Sequence, residues 1–188
     1  MKRNISLGIA AVAMVLTIAI GGTLAYFTDR DTAANVMTVG KVKIHLVEKT
    51  DTSGETEYTS GIFYSGIKPG DVVSKRPIVK VADDSEPAYI RVRVRASSSD
   101  SELSRHLYQL GYDTTGWKYI NGYYYYPSVV SAGSSLPVFT QVRIPADWGE
   151  LLKGRSFRID IYAEAVQAEN FSPDFSSMTD PWHGVIAE

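Results

Sequence analysis

Apolar residues crowd the stretch from Ile5 to Ile20, which carries no charge, and then give way to a chain in which apolar and polar positions alternate. The first pattern is that of a segment bound for a membrane; the second has the period of half-buried strands. From Met37 to Val47, Val39, Lys41, Lys43, His45 and Val47 alternate with Gly40, Val42, Ile44 and Leu46, predicting one strand. Lys49 to Ser60 is polar and rich in turn formers, which predicts a loop. Val72 to Ala82 and Ala88 to Ala96 predict two further strands. The second places Ala88, Ile90, Val92, Val94 and Ala96 on one face and Tyr89, Arg91, Arg93 and Arg95 on the other.

Ser99-Asp100-Ser101-Glu102 has the spacing of a capping box with Ser99 as the cap, and Leu103, Leu107 and Leu110 give the helix that follows one apolar stripe ending at Gly111. Trp117 to Ile120 and Tyr123 to Tyr126 flank Asn121-Gly122, a pair suited to the positive φ angles of a two-residue hairpin turn. Val138 to Ile144 and Ser156 to Gln167 predict the last strands, with a short helix or turn over Ala146 to Leu152. Many short strands separated by turns and one or two short helices predict an all-β sandwich. Residues 170–188 then read as a tail on the surface of a domain spanning 37–169, pinned by Phe171, Phe175 and Trp182.

Lys2 and Arg3 ahead of the apolar run, Gly21-Gly22 after it and Thr23-Leu24-Ala25 at its end form the layout of a cleavable signal helix over residues 1–25. Thr23 and Ala25 offer the small side chains that a signal peptidase accepts, so cleavage is expected before Tyr26. A retained membrane anchor is the competing reading of the same run. Loss of Lys2 and Arg3 moves the formal charge from −2 to −4. An acidic chain without a basic block lacks the electrostatic footprint of a nucleic-acid binder. The absence of cysteine excludes disulfides, thiol nucleophiles and thiolate metal sites.

Candidate chemistry is sparse. His45, His106 and His183 stand outside any H-E-x-x-H frame and read as surface histidines rather than zinc ligands. Asp83-Asp84-Ser85-Glu86 is oxygen-rich enough for weak calcium binding, but without EF-hand spacing, and Asp160 reads as a solvated carboxylate. No nucleophile elbow surrounds a serine. Tyr123-Tyr124-Tyr125-Tyr126 suits a sugar-stacking platform or, more simply, a strand alternating two rings to each face. Arg91, Arg93 and Arg95 read most simply as a basic stripe facing solvent and acidic neighbours, with a contact surface for an acidic partner as the alternative. No catalytic residue, metal site or cofactor is expected, and the chain reads as a non-enzyme.

Several segments taken together carry a resemblance: GGTLAYFTDRDTAANVMTVGKVKIHLVE, KPGDVVSKRPIVKV followed by AYIRVRVRA, WKYINGYYYY, and IYAEAVQAENF with the late Trp182. In their order and spacing they resemble the TasA/camelysin family of exported proteins. The resemblance implies a jelly-roll-like β-sandwich, cleavage after Ala25 by the signal peptidase SipW, and a place in the biofilm matrix or at the surface of a Gram-positive-type cell. It also implies fibres in which an extended N-terminal arm completes the sheet of the next copy. Here that arm is residues 26–36, with Tyr26, Phe27, Thr28, Asp29, Ala33, Ala34 and Val36 as its contact positions. The partners implied are SipW and either the chain itself, head to tail, or related matrix proteins; the membrane enters only through the signal helix. The camelysin side of the family is classed as metallopeptidase, which keeps a surface peptidase open beside the structural role, as does an accessory protein that binds matrix without polymerising. An arm this polar has little apolar area to bury on its own domain.

Overall fold

The computed structural model of the chain describes residues 28–32, 35–37, 41–49, 55–57 and 67–185. Strands dominate them: β1 (Thr28–Thr32), β2 (Asn35–Met37), β3 (Ile44–Lys49), β4 (Glu55–Glu57), β5 (Val72–Ser74), β6 (Arg76–Val81), β7 (Ala88–Ser97), β8 (Gly111–Tyr112), β9 (Lys118–Ile120), β10 (Tyr123–Tyr125), β11 (Ser135–Pro137), β12 (Gln141–Arg143) and β13 (Arg158–Gln167). Among the described residues, helix is confined to α1 (Ser101–Ser104), a 3₁₀ turn at Leu107–Gln109 and α2 (Gly149–Leu152). The strands form three antiparallel sheets, ordered β2-β1-β13-β7-β10-β9, β11-β6-β3-β4 and β5-β12-β8. The chain is an all-β sandwich.

Alternation builds the core. Ile44, Leu46, Val79 and Val81 from β3 and β6 meet Ile90, Val92, Ile161, Ala163 and Ala165 from β7 and β13, all buried in one cluster. Leu103, Leu107 and Leu110 close one end, with Phe139, Val142, Ile144 and Trp148. Each buried Val, Ile or Leu side chain contributes about 1.5–3 kcal/mol. β7 and β13 pair along their whole length, from Ala88↔Gln167 to Ser97↔Arg158, and form the spine of the larger sheet.

The hairpin forms where the sequence places it: Asn121 has φ 47° and Gly122 φ 88° between β9 and β10. Other expectations are corrected by tertiary demands. Of the strand expected over 37–47, Met37 ends β2, 38–40 lie outside the described residues, and β3 begins at Ile44, because residues 41–43 bond to a neighbouring loop: Ala82 N–H donates to Lys43 C=O, Glu86 N–H to Lys41 C=O, and Lys43 N–H to the Ser85 hydroxyl. The loop expected over 49–60 contains β4.

The strand expected over 72–82 is two strands in different sheets, β5 and β6, and the one expected over 138–144 shrinks to β12. Both changes occur at one crossing, where Lys75 N–H donates to Thr140 C=O. There the Lys75 ammonium is buried with both Glu48 oxygens at 3.1 Å. Asp100, not Ser99, caps α1: its carboxylate accepts from Glu102 N–H at 3.1 Å and Leu103 N–H at 2.8 Å. Gly111 opens β8 instead of ending a helix.

Candidate functional site

The larger sheet places two features against the same strand, β13. Along its free edge lies β1, antiparallel, with Thr28↔Val166, Asp29↔Ala165, Arg30↔Glu164, Asp31↔Ala163 and Thr32↔Tyr162 opposite one another. β2 folds back on β1, pairing Asn35 with Thr32, Val36 with Asp31 and Met37 with Arg30. Within the single chain, Thr28 and Asp29 of the expected donor arm therefore sit on the chain's own domain, in main-chain pairing that needs no apolar area. Tyr26, Phe27, Ala33 and Ala34, like the cleavage residues Thr23 and Ala25, lie outside the described residues.

Across the outer face of β13, β7 and β10 lies the C-terminal segment. Trp182 is fully buried, its ring 5.7 Å from Tyr125 and 6.2 Å from Phe171, both edge-on. Tyr125, Val166, Phe171 and Trp182 form a second buried cluster, with Phe175 and Tyr89 packed against it. The segment holds its own shape by short side-chain links. Asp180 accepts from Trp182 N–H at 3.0 Å and also from Gly184 N–H, and Asp174 N–H donates to Pro181 C=O at 2.9 Å. Asn121 in the hairpin turn donates to Thr179 C=O at 3.2 Å. The aromatic residues of the tail pin it to the sandwich, and Phe171 and Trp182 lose their surface completely enough to act as core.

Arg91 lies beneath this segment. Its guanidinium carbon is 4.4 Å from the centroids of both the Tyr123 and Trp182 rings, so the cation is held between two aromatic faces. Behind it, Nη2 and Nε reach Glu164 Oε2 at 2.6 and 2.7 Å, and Nη1 donates to the Tyr125 hydroxyl at 3.3 Å. Burial works against the Arg91 charge, but the Glu164 carboxylate and the Tyr125 hydroxyl outweigh it and raise its pKa. Arg91 thus leaves the solvent-facing stripe expected for it, whereas Arg93 and Arg95 are exposed, with Asp160 opposite Arg95. A stripe read from one strand cannot show what a segment ninety residues later will cover.

The remaining candidates are scattered. His45 is exposed on β3, His106 bonds through Nδ1 to Glu102 C=O at 2.8 Å, and His183 is exposed in the C-terminal segment. Among the described residues, no three His, Cys, Asp or Glu side chains gather to hold a metal ion, so these residues do not fit a zinc centre. In the 83–86 loop, Asp84 pairs with the Lys43 ammonium, which lowers its pKa, and Glu86 lies 3.7 Å from Lys41. Asp160 is bound by Arg158 at 2.7 Å. The tyrosine run alternates as expected: Tyr123 and Tyr125 join the Arg91 cluster, while Tyr124 packs at a tilt against Tyr119 at 4.9 Å and Tyr126 meets Trp117 at 5.5 Å. No described helix is long and apolar enough to cross a membrane.

Residues 1–82 match the family model described as camelysin metallo-endopeptidase. This is the family that the sequence resembles. The match spans the N-terminal apolar run and the strands through β6, and stops before the Arg91 cluster. No curated protein and no solved structure matches the chain.

Proposed function

We propose that the chain is an exported structural protein of the cell surface or extracellular matrix, which polymerises by giving its N-terminal strand to the next copy. The observation that carries this reading is the position of β1: a strand from the chain's N-terminal end forms five register pairs with the edge of β13. The same pairs form whether β1 comes from its own chain or from another copy, so concentration and chain entropy decide between them. Donation from one copy to the next is head to tail and does not close, so it produces a filament. SipW cleavage before Tyr26 would free the arm; amino-terminal sequencing of the secreted form tests that step, with Tyr26 as the expected first residue.

Deleting residues 26–36 tests the assembly. Electron microscopy should show fibres from the chain beginning at Tyr26 and none from the truncated chain, which should still melt cooperatively with a β-sheet circular dichroism spectrum. Equal fibre formation by both would refute arm donation. The family's description favours a second reading, a surface metallo-endopeptidase. Cleavage of a protein substrate that stops on addition of a chelator would establish it, and would require ligands other than the scattered histidines.

A further inference from the structure

The C-terminal segment and the N-terminal strand meet on the same residues of β13. Glu164 and Val166 project into the outer cluster, where Glu164 binds Arg91 and Val166 packs with Phe171 and Trp182. In the ladder these two residues stand opposite Arg30 and Thr28 of β1. Ala163 and Ala165, alternating with them, are buried in the main core. The receiving stretch of β13 is therefore clamped on both faces, and one of the two clamps is the segment from Phe171 to Trp182. An edge accepts a strand only while its own twist and register are held, because a slip of one residue exchanges the faces.

The Trp182 indole N–H is buried and has no hydrogen-bond partner among the described residues, a deficit that water would make good on release. The segment reaches the sheet through side-chain packing, the Arg91 cage and the Asn121 bond to Thr179, and it forms no strand of the described sheets.

We propose that residues 171–182 form a clasp that controls the competence of the β13 edge. Seated, the clasp holds β13 in the form that receives β1; lifted, it lets the strand leave. This proposal rests on the reading that β1 exchanges between copies, and supplies that exchange with a control point within each copy.

Hydrogen exchange read by mass spectrometry tests it on the chain beginning at Tyr26, kept dilute enough that sedimentation shows only monomer. In Trp182→Ala, amides 28–32 should exchange at least tenfold faster than in the parent, while amides of β3 and β6 change less than twofold. Trp182→Phe, which keeps a ring on Arg91, should fall between, and it supplies the same arm-to-core comparison if the alanine variant does not fold. Unchanged protection of residues 28–32, or equal acceleration of arm and core, would overturn the clasp. Because the readout is on monomer, a parent chain that forms no fibres would defeat the polymerisation reading alone.

Discussion

Arg91 and Glu164 show what burial does to a pair that would contribute little at the surface. With the Glu164 charge removed, the Arg91 charge stays buried between two rings beside the neutral Tyr125 hydroxyl, and an unpaired buried charge costs about 3 kcal/mol. Glu164→Gln should therefore lower unfolding free energy by about 3 kcal/mol in urea, whereas Arg93→Ala, on the exposed part of the same strand, should change it by less than about 0.5 kcal/mol. Equal effects would mean that the pair is solvated. Tyr112 offers a pH test. Burial, with Tyr124 nearby, raises its pKa far above the ordinary 10.0. The folded state thus binds that proton more tightly than the unfolded state. Its contribution is complete below pH 10 and is lost as the pH rises beyond it. Absorbance titration of phenolate should show late-ionising tyrosine in the parent, and Tyr112→Phe should remove part of that late phase.

At the scale of elements, local chemistry was legible and switching between sheets was not. Asn121-Gly122 announces its turn because few other pairs tolerate φ of 47° and 88°. Gly122→Ala should cost about 1 kcal/mol, measured by denaturant unfolding, since a Cβ disfavours that backbone region. Within 72–82 the apolar positions are interrupted by Ser74-Lys75-Arg76-Pro77, where the chain leaves one sheet for another, but the partner that Lys75 meets there, Glu48, lies far back in the sequence. Lys75→Ala and Glu48→Gln should each destabilise by about 3 kcal/mol, and the double variant Lys75→Met with Glu48→Leu by less than either. If the singles are neutral, the pair does not organise the crossing. Ser99 lost the cap to Asp100 for a related reason: Arg155 sits 3.0 Å from the Asp100 carboxylate and completes a site that the four-residue spacing alone could not distinguish.

For the whole molecule, the alternating pattern was enough to place the sandwich and its core face, because burial on one side leaves a period of two. It could not place the outer layer. Phe171 and Trp182 stand in a polar tail, and their burial depends on Tyr89, Arg91 and Val166, which belong to strands formed far earlier or on the other side of a turn. The arm was legible as a polar extended segment, but the edge that receives it follows only from the sheet order, in which β13 separates β1 from β7. The most direct test of strand donation uses the chain's lack of cysteine. Thr32 and Tyr162 stand opposite each other in the β1–β13 ladder. Chains carrying only Thr32→Cys are mixed with chains carrying only Tyr162→Cys, assembled, oxidised and run on a non-reducing gel. Donation predicts disulfide-linked dimers of the two variants, absent when either is assembled alone at the same concentration. Fibres that form without any such dimer, while the double variant closes its disulfide within one chain, would contradict it.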